Sequence, residues 1–315
     1  MMKNKLMIIS RNQEKNKLAI EKLALKDLII FAPDNEQDIK DNISEMNIIF
    51  AEPPIAHQYT NLAKNLAWYQ SMFAWVDALI KPDLKQDYLL TNVKDTYWKE
   101  MSEYVFWYIL MLRKQILENL SYQNDNFWNQ QAYPSLQNQT IAIMWTWSIW
   151  KEIARTAKSF WMKTIWLRTR NESVEYFDEI YTFDNIKDFL SGADYIIWVL
   201  PNTKDTQNII NKTTLSYMKN TAVYINVWRW SNVNEEDIIN ALNDKIIAYA
   251  VLDVFKTEPL PKDSPLWNTQ NLIITPHISG YIESTERMLE IFEINYNKFI
   301  SWEELDYQID FKKWY

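Results

Sequence analysis

Three charged side chains fall where an open α/β sheet would present its ligands. Arg229 follows the apolar run TAVYINV (221–227). Glu258 stands four residues beyond IIAYAVLDV (246–254), and His277 follows NLIITP (271–276). Each run reads as a buried strand, and in such sheets ligands bind outside the carboxyl ends of the strands. An arginine, a carboxylate and a histidine are what reduction of a 2-oxo acid requires. The guanidinium grips the substrate carboxylate through paired hydrogen bonds. The histidine delivers a proton to the carbonyl oxygen as hydride arrives, and the carboxylate orients the imidazole and favours its charged form. Taken singly, each has a plainer reading: Arg229 as a surface ion-pair residue, Glu258 as a turn residue before Pro259, His277 as a polar loop residue. His57, in PPIAHQY, is read in that plain way. Jointly, beside the nucleotide-binding pattern described next, they favour catalysis.

That pattern lies in residues 140–170, which read as strand, tight turn, helix, strand. TIAIM is a short β-branched and apolar run. Ile149, Ile153, Ala154 and Ala157 then share one helical face, and KTIWL returns as a strand. A βαβ unit of this length is where G-x-G-x-x-G belongs, its turn (Trp145, Trp147, Ser148, Ile149, Trp150) holding a dinucleotide pyrophosphate on the helix N-terminus. The glycine positions carry Trp145, Trp147 and Trp150. The spacing fits and the residue type does not.

Composition accounts for the mismatch. The chain holds 2 glycines and 16 tryptophans in 315 residues, where glycine normally makes up about 7% of a sequence. Many tryptophans stand where only glycine makes physical sense, which implies a gene that encodes glycine by UGA, with those codons written as tryptophan. An A/T-rich genome, in which such reassignments arise, fits the abundance of Lys, Asn and Ile. The positions assigned to glycine are Trp75, Trp98, Trp107, Trp145, Trp147, Trp150, Trp161, Trp166, Trp198, Trp228, Trp230, Trp302 and Trp314, leaving Trp68, Trp128 and Trp267 as tryptophan. Overpacking one tight site costs ~1–3 kcal/mol, against a net stability of ~5–15 kcal/mol. The alternative is a tryptophan-rich protein with an aromatic site of its own.

The elements that must position these residues make two α/β domains. KLMII (5–9), LIIFA (28–32), NIIFA (47–51) and DYLLTNV (87–93) read as strands of a parallel-sheet domain. Residues 61–80 run into a turn at Ala74, Trp75 and Val76, and residues 100–120 read as one long amphipathic bridging helix. DYIIWVLP (194–201) joins the three strands above in the second sheet, with helices over 185–191, 213–219 and 234–243. The last helix, 283–300, is expected to pack back on the first domain, giving a discontinuous substrate domain (1–99 plus 286–315) around a dinucleotide-binding domain (100–285). A net charge of −8 argues against a nucleic-acid partner. Apolar runs stay below the ~18 residues needed to cross a bilayer, and the start MMKNKLMIISRN lacks the apolar core of a signal peptide. A cytoplasmic protein is expected, and no metal is called for; the absence of cysteine excludes thiol nucleophiles and thiolate zinc.

With glycine at the assigned positions, the chain resembles the D-isomer-specific 2-hydroxyacid dehydrogenase family nearly end to end. INVWRW (225–230) is similar to the family's I-N-x-[AG]-R-G. LDVFKTEPLPKDSPLW (252–267) is similar to the segment carrying its catalytic acid, here Glu258. TPHISG (275–280) is similar to the segment with its catalytic histidine, and FKKWY to a terminal F-x-x-G-Y. LPNTKDTQNIIN (200–211) is similar to a cofactor loop and YQSMFAWVDALI (69–80) to the substrate-carboxylate loop. The resemblance implies a Rossmann-type doubly wound parallel sheet inserted in a flavodoxin-like substrate domain, and a homodimer. It further implies cofactor contacts at Leu200, Pro201, Thr206, Asn226, Val227, Trp228, Asp253, His277, Ser279 and Gly280, and substrate contacts at Ala74, Trp75, Val76 and Arg229.

Where an acidic residue normally binds the ribose 2′-OH of NAD, about 20 residues into the fingerprint, the chain has Arg168-Thr169-Arg170. Arg168 and Arg170 suit a 2′-phosphate, so NADP(H) is favoured, with NAD(H) accepted if both are merely solvated. QSMFA and EMSEYVFWYIL are most similar to the glyoxylate/hydroxypyruvate reductase branch. Two functions remain open: reduction of a small 2-oxo acid such as glyoxylate or hydroxypyruvate to the D-2-hydroxy acid, and non-catalytic dinucleotide sensing on the same scaffold.

Overall fold

A computed structural model describes residues 3–93, 98–144, 149–168, 174–198, 207–228, 230–280 and 286–311, with side chains at 149, 150 and 231 outside the description. The chain divides into two compact units, Met1–Thr96 with Glu283–Tyr315, and Tyr97–Ile282.

In the first unit β1 (Asn4–Ile9), α1 (Gln13–Lys22), β2 (Leu28–Phe31), α2 (Glu36–Asn42), β3 (Ile48–Ala51), α3 (Pro53–Ala56), β4 (Trp68–Ser71) and β5 (Leu89–Thr91) alternate along the chain. The strands pair in parallel in the order β2-β1-β3-β4-β5. That is the flavodoxin-like order, with its direction change between β1 and β3. β3 reads IIFA and is buried at every position, as a parallel strand covered on both faces should be. β4 is equally buried but reads WYQS, so the sequence gives no apolar run there. Two of its polar side chains are satisfied internally, Trp68 Nε1 donating to Thr91 Oγ1 at 2.8 Å and Thr91 Oγ1 to Gln70 Oε1 at 2.8 Å, whereas the buried Tyr69 hydroxyl has no partner among the described residues.

In the second unit α4 (Trp98–Arg113) and α5 (Ile116–Asn124) precede β6 (Thr140–Met144), α6 (Ile149–Ser159), β7 (Lys163–Leu167), β8 (Glu179–Tyr181), α7 (Ile186–Gly192) and β9 (Tyr195–Trp198). Then follow α8 (Lys212–Leu215), β10 (Val223–Asn226), α9 (Glu235–Asn243), β11 (Tyr249–Leu252) and β12 (Leu272–Ile274). The sheet order is β12-β11-β10-β9-β6-β7-β8. β6, the first strand, lies between β7 and β9, so the winding reverses there, as in a Rossmann sheet. The expected α6 face is seated: Ile153, Ala154 and Ala157 are fully buried against the sheet. Residues 100–120 are two helices rather than the single one expected. Gln115 takes a left-handed conformation (φ 53°) and starts α5 in a new direction. The apolar face of α4 (Met101, Val105, Phe106, Ile109) is buried, whereas no residue of α5 is.

The first unit is completed by α10 (Glu286–Ile300). Phe292 packs between Phe50 and Trp68, with ring centroids 4.8 and 5.3 Å away, and Asn295 donates to Gln70 Oε1 at 3.1 Å. The last helix therefore does return to the N-terminal sheet. Among the described residues, no helix is long and apolar enough to cross a membrane.

Both α6 and α10 end in a turn closed by a tryptophan. Trp161 (φ 56°) and Trp302 (φ 60°) are left-handed. Their amides donate to Lys158 O and Phe299 O, and the next amides, Met162 and Glu303, donate to Ala157 O and Lys298 O. This is the Schellman arrangement, whose left-handed residue is usually glycine; α9 closes the same way with Lys245 (φ 55°).

Candidate active site

β10, β11 and β12 are neighbours in parallel register, Asn226 beside Leu252 and Leu252 beside Ile274. Their carboxyl ends therefore open side by side. Asn226, Val227 and Trp228 leave β10, Asp253 follows β11, and Thr275 to Gly280 follow β12. The strand ends deliver two of the three expected catalytic groups to one place. His277 Nδ1 lies 2.8 Å from Glu258 Oε2, while Glu258 Oε1 accepts the Phe255 amide at 2.9 Å. A carboxylate only accepts, so Nδ1 is the donor in this pair. Both side chains are about one-third exposed, at 38% and 35%, as groups that must meet a ligand need to be. His277 holds this position with a left-handed backbone (φ 55°), its amide donating to Thr275 O at 3.0 Å.

The loop is held by Asp253, which is fully buried. One carboxylate oxygen accepts Thr275 Oγ1 at 2.5 Å and the Ile278 amide at 2.8 Å; the other accepts the Ser279 amide at 2.9 Å. Ser279 Oγ donates to Val227 O at 3.3 Å, which ties the loop to the end of β10. Asn226 is buried and accepts the Trp228 amide at 3.2 Å. Behind Thr275 stands Tyr104 of α4, its hydroxyl 2.6 Å from Thr275 Oγ1. Burial, reinforced by Asp253, pushes the Tyr104 phenol well above its usual range. The sequence offered Asp253 and Ser279 as cofactor contacts; it gave no signal for Thr275 as a ligand of Asp253, or for Tyr104.

Arg168 stands just past the carboxyl end of β7, next to the reversal point of the sheet, with its guanidinium 4.6 Å from the Trp166 ring centroid. A cationic fork beside the first two strands of a doubly wound sheet suits the phosphate of an adenine dinucleotide. Asn226 and Asp253 lie at the carboxyl ends of β10 and β11, on the other side of the reversal point from Arg168. The residues present fit such a cofactor. In the first unit Ala74, Trp75 and Val76 lie in the segment after β4. Ala74 O accepts Asn92 Nδ2 at 2.5 Å, Val76 is buried, and the Trp75 ring lies 5.1 Å from that of Phe73. Gly280 is partly buried after Ser279. Trp145, Trp147, Ser148, Arg170, Leu200, Pro201, Thr206 and Arg229, and the side chains of Ile149 and Trp150, lie outside the described residues. His57, read as a polar loop residue, instead caps α3 and starts a short 3-10 turn, its Nδ1 3.2 Å from Pro53 O.

Comparison with known proteins identifies the family. Residues 106–279 match the family model described as D-isomer specific 2-hydroxyacid dehydrogenase, NAD binding domain. The chain is 30% identical over 217 residues to a glyoxylate/hydroxypyruvate reductase A of Serratia proteamaculans, covering 66% of this chain and 68% of that one. A D-isomer specific 2-hydroxyacid dehydrogenase family protein from Aeromonas salmonicida superposes with a TM-score of 0.94 at 36% identity, over 98% of this chain and 99% of that one. An NADPH-dependent glyoxylate/hydroxypyruvate reductase of Sinorhizobium meliloti, in complex with NADP and sulfate, gives 0.87 at 23% identity, over 99% and 100%. The chain belongs to the D-isomer specific 2-hydroxyacid dehydrogenase family, and is thereby a nicotinamide-dependent oxidoreductase.

Proposed function

We propose that the protein reduces a small 2-oxo acid of the glyoxylate or hydroxypyruvate kind to the D-2-hydroxy acid, with NADP(H) preferred over NAD(H). The observation that carries this reading is the Glu258–His277 pair at 2.8 Å on adjacent strand ends. When bound, the nicotinamide supplies the hydride. His277 protonates the carbonyl oxygen from Nε2, Glu258 holds the imidazole by Nδ1, and Arg229 binds the substrate carboxylate. Ala74, Trp75 and Val76 contribute to the substrate side, and Arg168 with Arg170 meets a 2′-phosphate. The name of the Serratia relative and the bound NADP of the Sinorhizobium structure support substrate class and cofactor alike. NADPH oxidation in the presence of glyoxylate or hydroxypyruvate tests the proposal. Binding of NADPH without turnover of any short 2-oxo acid would instead favour the sensor. A homodimer is supported by the exposed apolar row Ile116, Leu117 and Leu120 on α5, and Leu120→Asp should yield a monomer in light scattering.

We also propose that the working protein carries glycine at the thirteen assigned tryptophan positions. Two observations on the described tryptophans support it. Trp161 and Trp302 are left-handed and exposed, whereas none of Trp68, Trp128 and Trp267 is left-handed. Trp198 is fully buried in β9 with its Nε1 lacking a partner, whereas the equally buried Trp68 donates to Thr91 and Trp267 Nε1 donates to Pro261 O at 2.8 Å. A buried orphan donor costs ~1–3 kcal/mol. Calorimetric titration of NADPH into both forms decides the matter: the glycine form should bind, and tight binding by the tryptophan form would refute the proposal.

A further inference from the structure

Tyr104, Thr275 and Asp253 form a hydrogen-bonded line whose direction is fixed by chemistry. A carboxylate accepts and a threonine hydroxyl has one proton to give. Asp253 receives Thr275 Oγ1 at 2.5 Å, so the contact of 2.6 Å between Thr275 Oγ1 and Tyr104 OH has the tyrosine as donor. The phenol occupies a lone pair of Thr275 and turns its hydrogen toward Asp253. The same carboxylate holds the Ile278 and Ser279 amides. His277 is thereby pinned on both flanks while its own backbone is left-handed, a conformation that persists only where the surroundings over-determine it. The Tyr104 ring is braced by Tyr108, 4.8 Å away on the same helix.

We propose that Tyr104 is a positioning residue for His277, acting through Thr275 and Asp253 to set the loop that aims the imidazole. Its bearing on catalysis rests on the reading of His277 as proton donor; its bearing on the loop does not. Tyr104→Phe keeps the ring and removes only the hydroxyl. In the full-length protein, amide hydrogen exchange at Ile278 and Ser279 should quicken, and kcat should fall about tenfold, as expected for one lost buried hydrogen bond, with KM little changed. Thr275→Val should give the same phenotype and Thr275→Ser should restore it. Tyr104→Phe added to Thr275→Val should cost nothing further, since both act through one line. Ser102→Ala, on the same helix but bonded to Thr156 at 3.0 Å, should leave both readouts unchanged. Unaltered exchange in Tyr104→Phe, or additive losses in the double variant, would overturn the proposal. A parent protein without turnover would refute the reductase reading, while the exchange measurement would still decide the role of Tyr104.

Discussion

Replacing Trp302 by glycine should stabilise the protein, although removal of so large a side chain usually does the reverse. Trp302 is 96% exposed, so its indole buries almost nothing. It holds φ at 60° as the left-handed residue after α10, which costs an L-residue ~1–2 kcal/mol. Glycine removes that strain but has more freedom to lose on folding, which returns ~0.5–1 kcal/mol. The net gain lies between about 0 and 1.5 kcal/mol, centred on ~0.75, or a rise in Tm of up to about 6 °C for a domain of this size. Trp161→Gly should behave alike, somewhat less so because the ring is 72% exposed. Trp68→Gly should do the opposite. That ring is fully buried, stacks at 5.3 Å on Phe292 and donates to Thr91, and loss of such a side chain costs at least ~3–5 kcal/mol. Urea unfolding with a constant m-value reads all three. A lowered midpoint for Trp302→Gly, or tolerance of Trp68→Gly, would refute the assignment of which tryptophans stand for glycine.

His277→Gln should lower kcat by ~10²–10⁴ in stopped-flow reduction of glyoxylate while NADPH still binds; near-normal turnover would leave the TPHISG loop structural. Arg168→Asp should move the NADPH/NADH ratio of kcat/KM at least about tenfold toward NADH, the equivalent of one charge-assisted contact; an unchanged ratio would make Arg168 a surface charge. Asp178 would be raised by burial, but its contacts with Lys158 (2.5 Å) and with the Thr164 amide and hydroxyl (2.7 and 3.1 Å) outweigh this and lower it below 3.8. Its folded pKa is thus below the unfolded one, so its stabilisation is full above pH 3.8 and is lost as pH falls through the depressed value. Asp178→Asn, at a half-exposed site worth about 1 kcal/mol, should flatten that acid limb in a series of Tm measurements.

Strand ends and helix faces were legible in the sequence because they depend on local pattern. Largely apolar runs marked β1, β3, β10 and β11, and the spacing of Ile153, Ala154 and Ala157 marked the buried face of α6. The Glu258–His277 contact was legible because both residues follow adjacent parallel strands. β4 was not, since Gln70 and Ser71 interrupt its apolar run, and Gln70 Oε1 is satisfied by Thr91 and Asn295, brought from far along the chain. The break at Gln115 was hidden because a non-glycine residue takes the left-handed conformation there. Tyr104 lies 171 residues from the threonine it contacts, and no short-range pattern encodes that meeting.

The return of α10 to the first sheet sets an order of assembly. Residues 98–280 supply all the strands of the second sheet, so that unit can close as soon as it leaves the ribosome. The first unit cannot: Phe50, Trp68 and Gln70 await Phe292 and Asn295, which are made more than two hundred residues later. Through that interval the nascent N-terminal sheet carries an uncovered aromatic face, the kind of surface that chaperones bind. The substrate half of the enzyme is begun first and finished last.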